Sequence, residues 1–345
     1  MNEPYLIAEV GVNYYDTARM LSLSPLEAAK LYINAAKKAG ADAVKFQSYK
    51  ADTIVIKNSP AYWDTSKEPT STQYELFKKH DEFGFAEYQT LAEHALSQKI
   101  DFLSTPFDYY SADYLFELIP YYKISSSDLS NLPFIRHIAK KGKPIILSVG
   151  ASYLSEVDEA LRSALEAGCP EVSLLHCVLS YPCEYGDANL DMIRGLKRIY
   201  PNNKVGYSDH TMPDSAMTVL TTAYLFGAEI IEKHFTLDKT LPGNDHYHAG
   251  DPDDFAKAVK SFALIKQLKG SDKKQLLDCE RIPRREARRS LVLARALKAG
   301  EIICEADLIA KRPGTGICPK YTDIVIGRSV KVDLPEDTVL TWDLV

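Results

Sequence analysis

The feature that most restricts the fold of this chain is a repeated alternation of short apolar runs with longer amphipathic segments. The apolar runs are continuous rather than interrupted by polar residues, which is typical of parallel strands covered on both faces. The segments between them, for example residues 25–39 and 154–167, consist of good helix formers with apolar residues at helical spacing. The pattern predicts strands over residues 5–10, 42–47, 100–105, 121–125, 144–148, 171–176, 204–208 and 228–232.

Eight strand–helix units indicate an α/β fold, a (β/α)8 TIM barrel, which typically takes roughly 250 residues. A doubly wound open sheet is the alternative. One connection, residues 48–83, is longer than usual, and its Tyr and Trp residues predict an ordered, packed loop.

After residue 269 the strand–helix alternation stops. Two later stretches, residues 297–308 and 334–344, resemble each other, which is typical of a small β-rich module with internal pseudosymmetry. A module of about 55 residues is marginally stable alone, so we expect it to dock on another surface. The predicted organisation is a barrel over residues 1–272, a linker over 273–289 and a β-rich domain over 290–345.

Composition and simple motifs exclude several functions. The chain has 41 Lys and Arg against 47 Asp and Glu, a net charge of −6, which argues against a general nucleic-acid binder. No apolar run approaches the roughly 18 residues of a membrane span, and the first residues lack the pattern of a secretory signal. Six cysteines occur without CxxC spacing, so we expect free, structural thiols and a cytoplasmic protein. Neither GxGxxG nor a P-loop occurs, so nucleotide binding is unsupported.

Polar side chains end nearly every predicted strand, and in a barrel these ends meet at one rim, where active sites form. Lys45 and Lys123 can supply charge for a phosphate or carboxylate, with serine hydroxyls as further donors. A single strand-end Lys is usually a structural ion pair and a single Ser a helix cap, but their convergence favours an anion pocket. The strand-end set is Glu9, Lys45, Gln47, Thr105, Lys123, Ser126, Ser148, His176, Tyr181, Ser208, Asp209, His210, Glu232, Lys233 and His234.

Histidines offer a metal site. His210 and His234 end neighbouring predicted strands, and two such imidazoles can share a divalent cation while leaving positions for water and a carbonyl oxygen. Either one alone would be read as a structural group. The roles of His246 and His248, in a polar loop with Asp245, stay open between metal, substrate and solvent contact. His176 is predicted to be a core residue.

Eight motifs follow one another along the predicted barrel: IAEVGVN, DAVKFQ, FLSTPFD, KISSSDLSNLP, PIILSVG, LLHCVLSYP, GYSDHT and IEKHFTLDKTLPGNDH. In this order they resemble the sialic acid synthase family, which makes nonulosonic acids from phosphoenolpyruvate and an N-acylated hexosamine. The tail, ARRSLV followed by KAGEIICEADLIAKRPGTGI, resembles the antifreeze-like (SAF) domain of that family. The resemblance covers nearly the whole chain.

The resemblance implies a divalent cation held by His210 and His234, most commonly Mn²⁺ with Mg²⁺ or Co²⁺ as alternatives, and Glu9 beside the reacting centre. For phosphoenolpyruvate it implies Lys45, Thr105, Lys123, Ser126, Ser148 and Ser208. For the sugar, or the water shell of the metal, it implies Gln47, Asp128, Tyr181, Asp245 and Arg312. Arg312 would reach into the barrel of a partner subunit, which makes a domain-swapped homodimer the expected assembly.

Departures from the family pattern fall mostly where the sugar is expected. Leu179 stands where the family usually has Asn or Ser, Val149 and Ala151 replace residues of a common STGM motif, and Asp128 stands where many bacterial members have Glu. The acceptor sugar therefore stays open, N-acetylmannosamine or a modified relative. The alternatives are another phosphoenolpyruvate-dependent keto-deoxy sugar-acid synthase with a phosphorylated acceptor, or a non-catalytic carbohydrate-binding relative.

Overall fold

The structure, a computed structural model, describes residues 2–63, 65–66, 68–243 and 245–345. The chain divides into two compact units, Met1–Gly270 and Ser271–Val345. Within the described residues, no helix combines the length and apolar character needed to cross a membrane.

Eight parallel strands form the first unit. Their hydrogen-bonded order is β3-β2-β1-β8-β7-β6-β5-β4, and the two end strands β3 and β4 lie side by side, so the sheet nearly closes into a barrel. The predicted barrel is confirmed over the open sheet, and each predicted strand is found within two residues of its expected bounds. The strands are β1 Tyr5–Gly11, β2 Ala43–Ser48, β3 Asp101–Pro106, β4 Tyr122–Ile124, β5 Ile145–Ser148, β6 Val172–His176, β7 Val205–Asp209 and β8 Ile230–His234.

Helices follow the strands on the outside. They are α1 Tyr14–Leu21, α2 Pro25–Ala39, α3 Ala51–Ile54, α4 Gln73–Lys78, α5 Phe85–Gln98, α6 Tyr109–Leu115, α7 Leu132–Ala139, α8 Leu154–Glu166, α9 Asp191–Ile199, α10 Thr218–Leu225 and α11 Pro252–Lys269. Helix α2 shows why the bounds were predictable. Ser24 and Glu27 form a reciprocal capping box at its start, and Gly40, at a φ of 92°, ends it in the left-handed conformation.

The long connection between β2 and α5 contains α3 and α4, and its described residues pack against one another. Tyr49 is buried and meets Phe77 edge to face, with ring centroids 5.3 Å apart. Trp63 donates a hydrogen bond from its indole nitrogen to the Glu68 carbonyl at 3.1 Å. The described part of this connection therefore has the packed character that its aromatic residues predict.

The second unit has its own apolar core and an antiparallel pair of strands, β9 Ser290–Leu293 and β10 Leu308–Lys311. Helix α12, Arg281–Ala287, lies where the sequence predicts a linker, and α13, Thr322–Val325, is a single turn. The two similar stretches predicted from the sequence start opposite each other: Leu297 and Leu334 exchange backbone hydrogen bonds of 2.9 and 2.8 Å.

Candidate active site

Strand register brings the predicted residues together. On β1, Glu9 lies opposite Lys45 of β2 on one side and opposite His234 of β8 on the other. Alternate residues of a strand face opposite sides, so Glu232 faces the same way as His234. One cavity at the carboxyl ends of the strands results, lined by Glu9, Lys45, Gln47, Thr105, Phe107, Lys123, Ser125, Ser126, Ser148, Cys177, Tyr181, Ser208, His210, Glu232 and His234.

The same alternation turns two strand-end residues away from this cavity. The Lys233 ammonium lies 2.6 Å from Asp209 and donates to the Thr211 carbonyl at 2.8 Å. Lys233 and Asp209 have side-chain exposures of 0% and 1%, so they form a buried structural ion pair. His176 is also buried away from the cavity, with Nε2 2.8 Å from the Ala188 carbonyl oxygen, as its predicted core role requires.

Two ammonium groups and two carboxylates occupy the floor of the cavity, and we refer to Glu9, Lys45, Lys123 and Glu232 as the lysine–glutamate cluster. Lys45 contacts Glu9 in a short ion pair and lies 3.6 Å from Glu232, while Lys123 lies 3.5 Å from the other oxygen of Glu232. Glu232 thus bridges both lysines; the sequence placed it at the rim of the barrel but assigned it no binding or catalytic role.

Hydroxyl groups complete the cluster. Lys45 donates to Thr105 Oγ1 at 3.0 Å, Lys123 donates to Ser148 Oγ at 2.8 Å, and Ser208 donates to Glu232 at 2.9 Å. Ammonium and hydroxyl donors fixed this way bind anions with little reorganisation.

Burial and neighbouring charges separate the pKa values of the two carboxylates. Burial raises the pKa of Glu9 to about 7, although Lys45 opposes the shift. Burial acts on Glu232 in the same direction, but Lys123 and Lys45 outweigh it and hold its pKa at about 2. Burial lowers the pKa of Lys123, whereas at Lys45 the effect of burial is outweighed by Glu232 and Glu9 and the pKa is raised. At neutral pH Glu232 is therefore ionised and Glu9 is close to its midpoint.

The two predicted imidazoles, His210 and His234, line the same cavity, with ring centroids 5.7 Å apart. Nδ1 of His210 lies 2.7 Å from the Val178 carbonyl, which only accepts, so Nδ1 donates and Nε2 keeps its lone pair. Burial lowers the pKa of His210 to about 4 and that of His234 well below its usual range. Nδ1 of His234 is buried with no hydrogen-bond partner among the described residues. Two neutral imidazoles with such lone pairs fit a divalent cation.

Of the residues predicted to contact the sugar, two line the cavity, one lies near His234 and two are not among the described lining residues. Gln47 donates to Glu9 at 3.1 Å, Tyr181 packs against His210 with ring centroids 4.2 Å apart, and both line the cavity. An oxygen of Asp245 lies 3.9 Å from Nδ1 of His234, and burial raises the pKa of Asp245 to about 6. Asp128 is not among the described lining residues, and Arg312 is an exposed residue of the second unit.

The cavity also reaches residues without a predicted role. Cys177 lines it, and a Cβ atom added at Gly150 would approach the Cys177 sulfur to 2.7 Å, so this approach requires glycine. Burial raises the pKa of the Cys177 thiol, which lowers the fraction present as thiolate at neutral pH. Leu179 and Val149 are not among the described lining residues.

Comparison with known proteins identifies the class. The NeuB family matches residues 32–274, and the SAF domain matches residues 288–345. The chain belongs to the NeuB family and carries a SAF domain after the barrel, which confirms the resemblance found in the motifs.

Individual relatives align in sequence with nearly the full length of this chain. The N,N′-diacetyllegionaminic acid synthase of Legionella pneumophila is 39% identical over 98% of this chain and 94% of its own. The N-acetylneuraminate-9-phosphate synthase of Homo sapiens is 30% identical over 99% of this chain and 92% of its own. The crystal structure of N-acetylneuraminic acid synthetase from Leptospira borgpetersenii has a TM-score of 0.69 at 32% identity, covering 82% of this chain and 90% of its own. The chain is an enzyme of this nonulosonic acid synthase family.

Proposed function

We propose that this enzyme joins phosphoenolpyruvate to the open-chain form of an N-acylated hexosamine and releases phosphate, in a reaction that requires a divalent cation. The observation that carries the proposal is one cavity lined by two buried ammonium groups and two buried, neutral imidazoles. Phosphoenolpyruvate carries a phosphate and a carboxylate, and the sugar carries a carbonyl oxygen, so the two sides of the cavity suit the two substrates.

On the ammonium side, Lys45 and Lys123 bind the anionic groups, with Thr105 and Ser148 already hydrogen-bonded to them. Glu232 lies between the two ammonium groups and fixes their separation. Ser126 and Ser208 add hydroxyls to the same wall. Groups held in advance stabilise developing charge without reorganisation, which is usually the largest catalytic contribution.

On the imidazole side, His210 and His234 would hold the cation. A bound divalent cation supplies Lewis acidity toward the sugar carbonyl oxygen. The Val178 carbonyl fixes the tautomer and ring orientation of His210, and Tyr181 packs against that ring.

The reaction forms a bond between the methylene carbon of phosphoenolpyruvate and the sugar carbonyl carbon. Water then adds to the neighbouring enolpyruvyl carbon, and the tetrahedral intermediate loses phosphate as its carbon–oxygen bond breaks. Glu9 would accept the proton of that water, and its pKa of about 7 supports this role because a substantial fraction of the carboxylate is ionised at neutral pH. Gln47, which donates to Glu9, orients the carboxylate.

Phosphate release from phosphoenolpyruvate with a panel of N-acylhexosamines tests the proposal. With ¹⁸O in the bridging position of phosphoenolpyruvate, we expect the label in the released phosphate. We expect His210→Ala to lose cation-dependent turnover while staying folded, and His94→Ala, outside the barrel on α5, to keep it. Full activity of the His210 variant, or label retained in the sugar acid, would contradict the scheme.

The acceptor is expected to be unphosphorylated. Among the described residues that line the cavity, Lys45 and Lys123 are the only Lys or Arg side chains, and phosphoenolpyruvate uses both. The name of the human relative points to a phosphorylated product, so the 6-phosphorylated hexosamine is the rival acceptor. A higher kcat/KM with the 6-phosphate would favour that rival.

We also propose a cytoplasmic, domain-swapped homodimer in which Arg312 reaches the sugar bound in the partner barrel. The family resemblance and the exposed position of Arg312 support the assembly, and six free cysteines support the compartment. Mixing and refolding Arg312→Ala with His210→Ala tests it. A swapped dimer regenerates one intact site per heterodimer and recovers part of the activity, whereas two inactive chains that act alone recover none.

A further inference from the structure

The loop after β8 returns to the strand it leaves. Gly250 donates to the His234 carbonyl at 2.8 Å, and Thr236 donates to the Gly250 carbonyl at 3.0 Å. Asn13, buried beyond β1, donates to the carbonyls of Phe235 and Asp245 at 3.3 Å each. These backbone contacts fix the loop over the end of β8 and hold Asp245 and His248 above His234.

Three potential ligand side chains meet there. His234, Asp245 and His248 each offer an atom, and these atoms all lie within 4.8 Å of one another. The two oxygens of Asp245 lie 3.9 Å from Nδ1 of His234 and 3.9 Å from Nε2 of His248. The His248 side chain has an exposure of 0%, and its ring centroid lies 5.0 Å from that of His234.

The distances suit ligation better than direct hydrogen bonding. A separation of 3.9 Å exceeds the roughly 3.2 Å limit of a good hydrogen bond. All three ligand atoms lie within 4.8 Å of one another, so one cation between them can contact each after small side-chain shifts. Two imidazole nitrogens and one carboxylate oxygen are also ligands that Mn²⁺, Co²⁺ and Zn²⁺ accept.

We propose that His248 is an additional protein ligand of the divalent cation, acting with Asp245 and His234. This inference rests on the proposed function only in assuming that a cation belongs at this mouth. It goes beyond the two strand-end imidazoles, because it assigns a nitrogen ligand to a loop that the fold itself holds in place.

The neighbouring His246 provides a matched control. It is equally buried and lies in the same loop, but its Nδ1 is 2.7 Å from Thr236 Oγ1 and its Nε2 is 3.4 Å from Asp16. Its ring therefore contacts structural groups at the base of the loop, and it is not part of the three-residue cluster.

The test is direct cation binding by the purified full chain, without substrates. Mn²⁺ affinity is measured by calorimetry, and Co²⁺ is added to record its visible absorption spectrum, which reports ligand number and type. We expect His248→Leu to weaken Mn²⁺ binding by more than the roughly 10- to 100-fold caused by losing an outer-shell partner. We expect His248→Asp, which keeps an oxygen ligand, to recover part of the affinity with a changed Co²⁺ spectrum. His246→Leu should keep the wild-type spectrum.

Wild-type Mn²⁺ affinity in His248→Leu would overturn the proposal, and so would weaker binding with a wild-type Co²⁺ spectrum, which would make His248 a positioning residue. If His248→Leu does not fold, the spectrum of His248→Asp decides alone. The measurement is independent of turnover: intact cation binding without synthase activity would reject the proposed function and leave this inference standing.

Discussion

The same substitution at two buried strand-end lysines should have opposite consequences. Lys123 faces the cavity and Lys233 faces away from it, so Met at position 123 removes an anion-binding group and Met at position 233 removes a structural one. Met keeps much of the length of the side chain and deletes only the ammonium group.

For Lys233→Met we expect a large loss of stability. Lys233 and Asp209 are fully buried at 2.6 Å, and the substitution leaves the Asp209 carboxylate without its cation. Breaking such a pair costs about 3–5 kcal/mol, or roughly 6–10 °C in the Tm of a unit of this size, at about 2 °C per kcal/mol. The cavity keeps all its lining groups, so folded protein should bind phosphoenolpyruvate with nearly wild-type affinity.

For Lys123→Met we expect a small loss of stability and a clear loss of anion binding. Burial lowers the pKa of Lys123, so the fold already disfavours its charge, and Glu232 keeps Lys45 and Ser208 as partners. The loss of stability should stay below about 2 kcal/mol, whereas losing one charged hydrogen bond weakens anion binding by about 1.5–3 kcal/mol, roughly 10- to 150-fold.

Urea unfolding followed by circular dichroism gives the stability of each variant, and calorimetric titration with phosphoenolpyruvate gives its Kd. Asp209→Asn combined with Lys233→Met should regain part of the stability, because no buried charge is left alone. Two results would refute the placement of Lys123 in the cavity and Lys233 outside it. One is equal destabilisation by the two Met variants, and the other is loss of phosphoenolpyruvate binding by Lys233→Met at urea concentrations below its unfolding transition.

Two further outcomes follow from the cavity and the domain division. Glu9 gains negative charge as the pH rises through its pKa of about 7, so sulfate, which does not titrate in this range, should bind more weakly at pH 8 than at pH 6. Calorimetry with Glu9→Gln should show a smaller loss of sulfate affinity between pH 6 and pH 8, since Asp245, with a pKa of about 6, still titrates near the cavity. An equal loss of affinity in both proteins would contradict the role of Glu9. Deleting residues 271–345 should leave a cooperatively folded barrel that still binds sulfate but uses the sugar poorly; an aggregated product with no unfolding transition would contradict this independence.

Much of the fold could be predicted because continuous apolar runs and helix caps are local signals. Strand bounds differed by a residue or two, since hydrogen-bond register and not composition decides where a strand ends. Val205–Asp209, for example, extends one residue beyond its predicted end, through the Asp209 that pairs with Lys233.

The site was predictable where side chains belong to the strands. Glu232 was placed at the rim but given no role, although the strand period puts it on the same face as His234, two residues away. The same rule would have removed Lys233 and Asp209 from the strand-end set. The resemblance placed Asp245 near the sugar or the metal, and the role of His248 stayed open. Their meeting at His234 was not predictable, because it depends on a long loop that returns to β8 through backbone contacts with no sequence signature.

The lysine–glutamate cluster has a consequence for selectivity. Each ammonium group already has a counter-ion within the chain, so any incoming anion must compete with a covalently tethered carboxylate. A singly charged cellular anion such as chloride or acetate binds too weakly to displace these carboxylates from the lysines. Only a solute with several negative charges, spaced to reach both lysines at once, outcompetes the tethered partners.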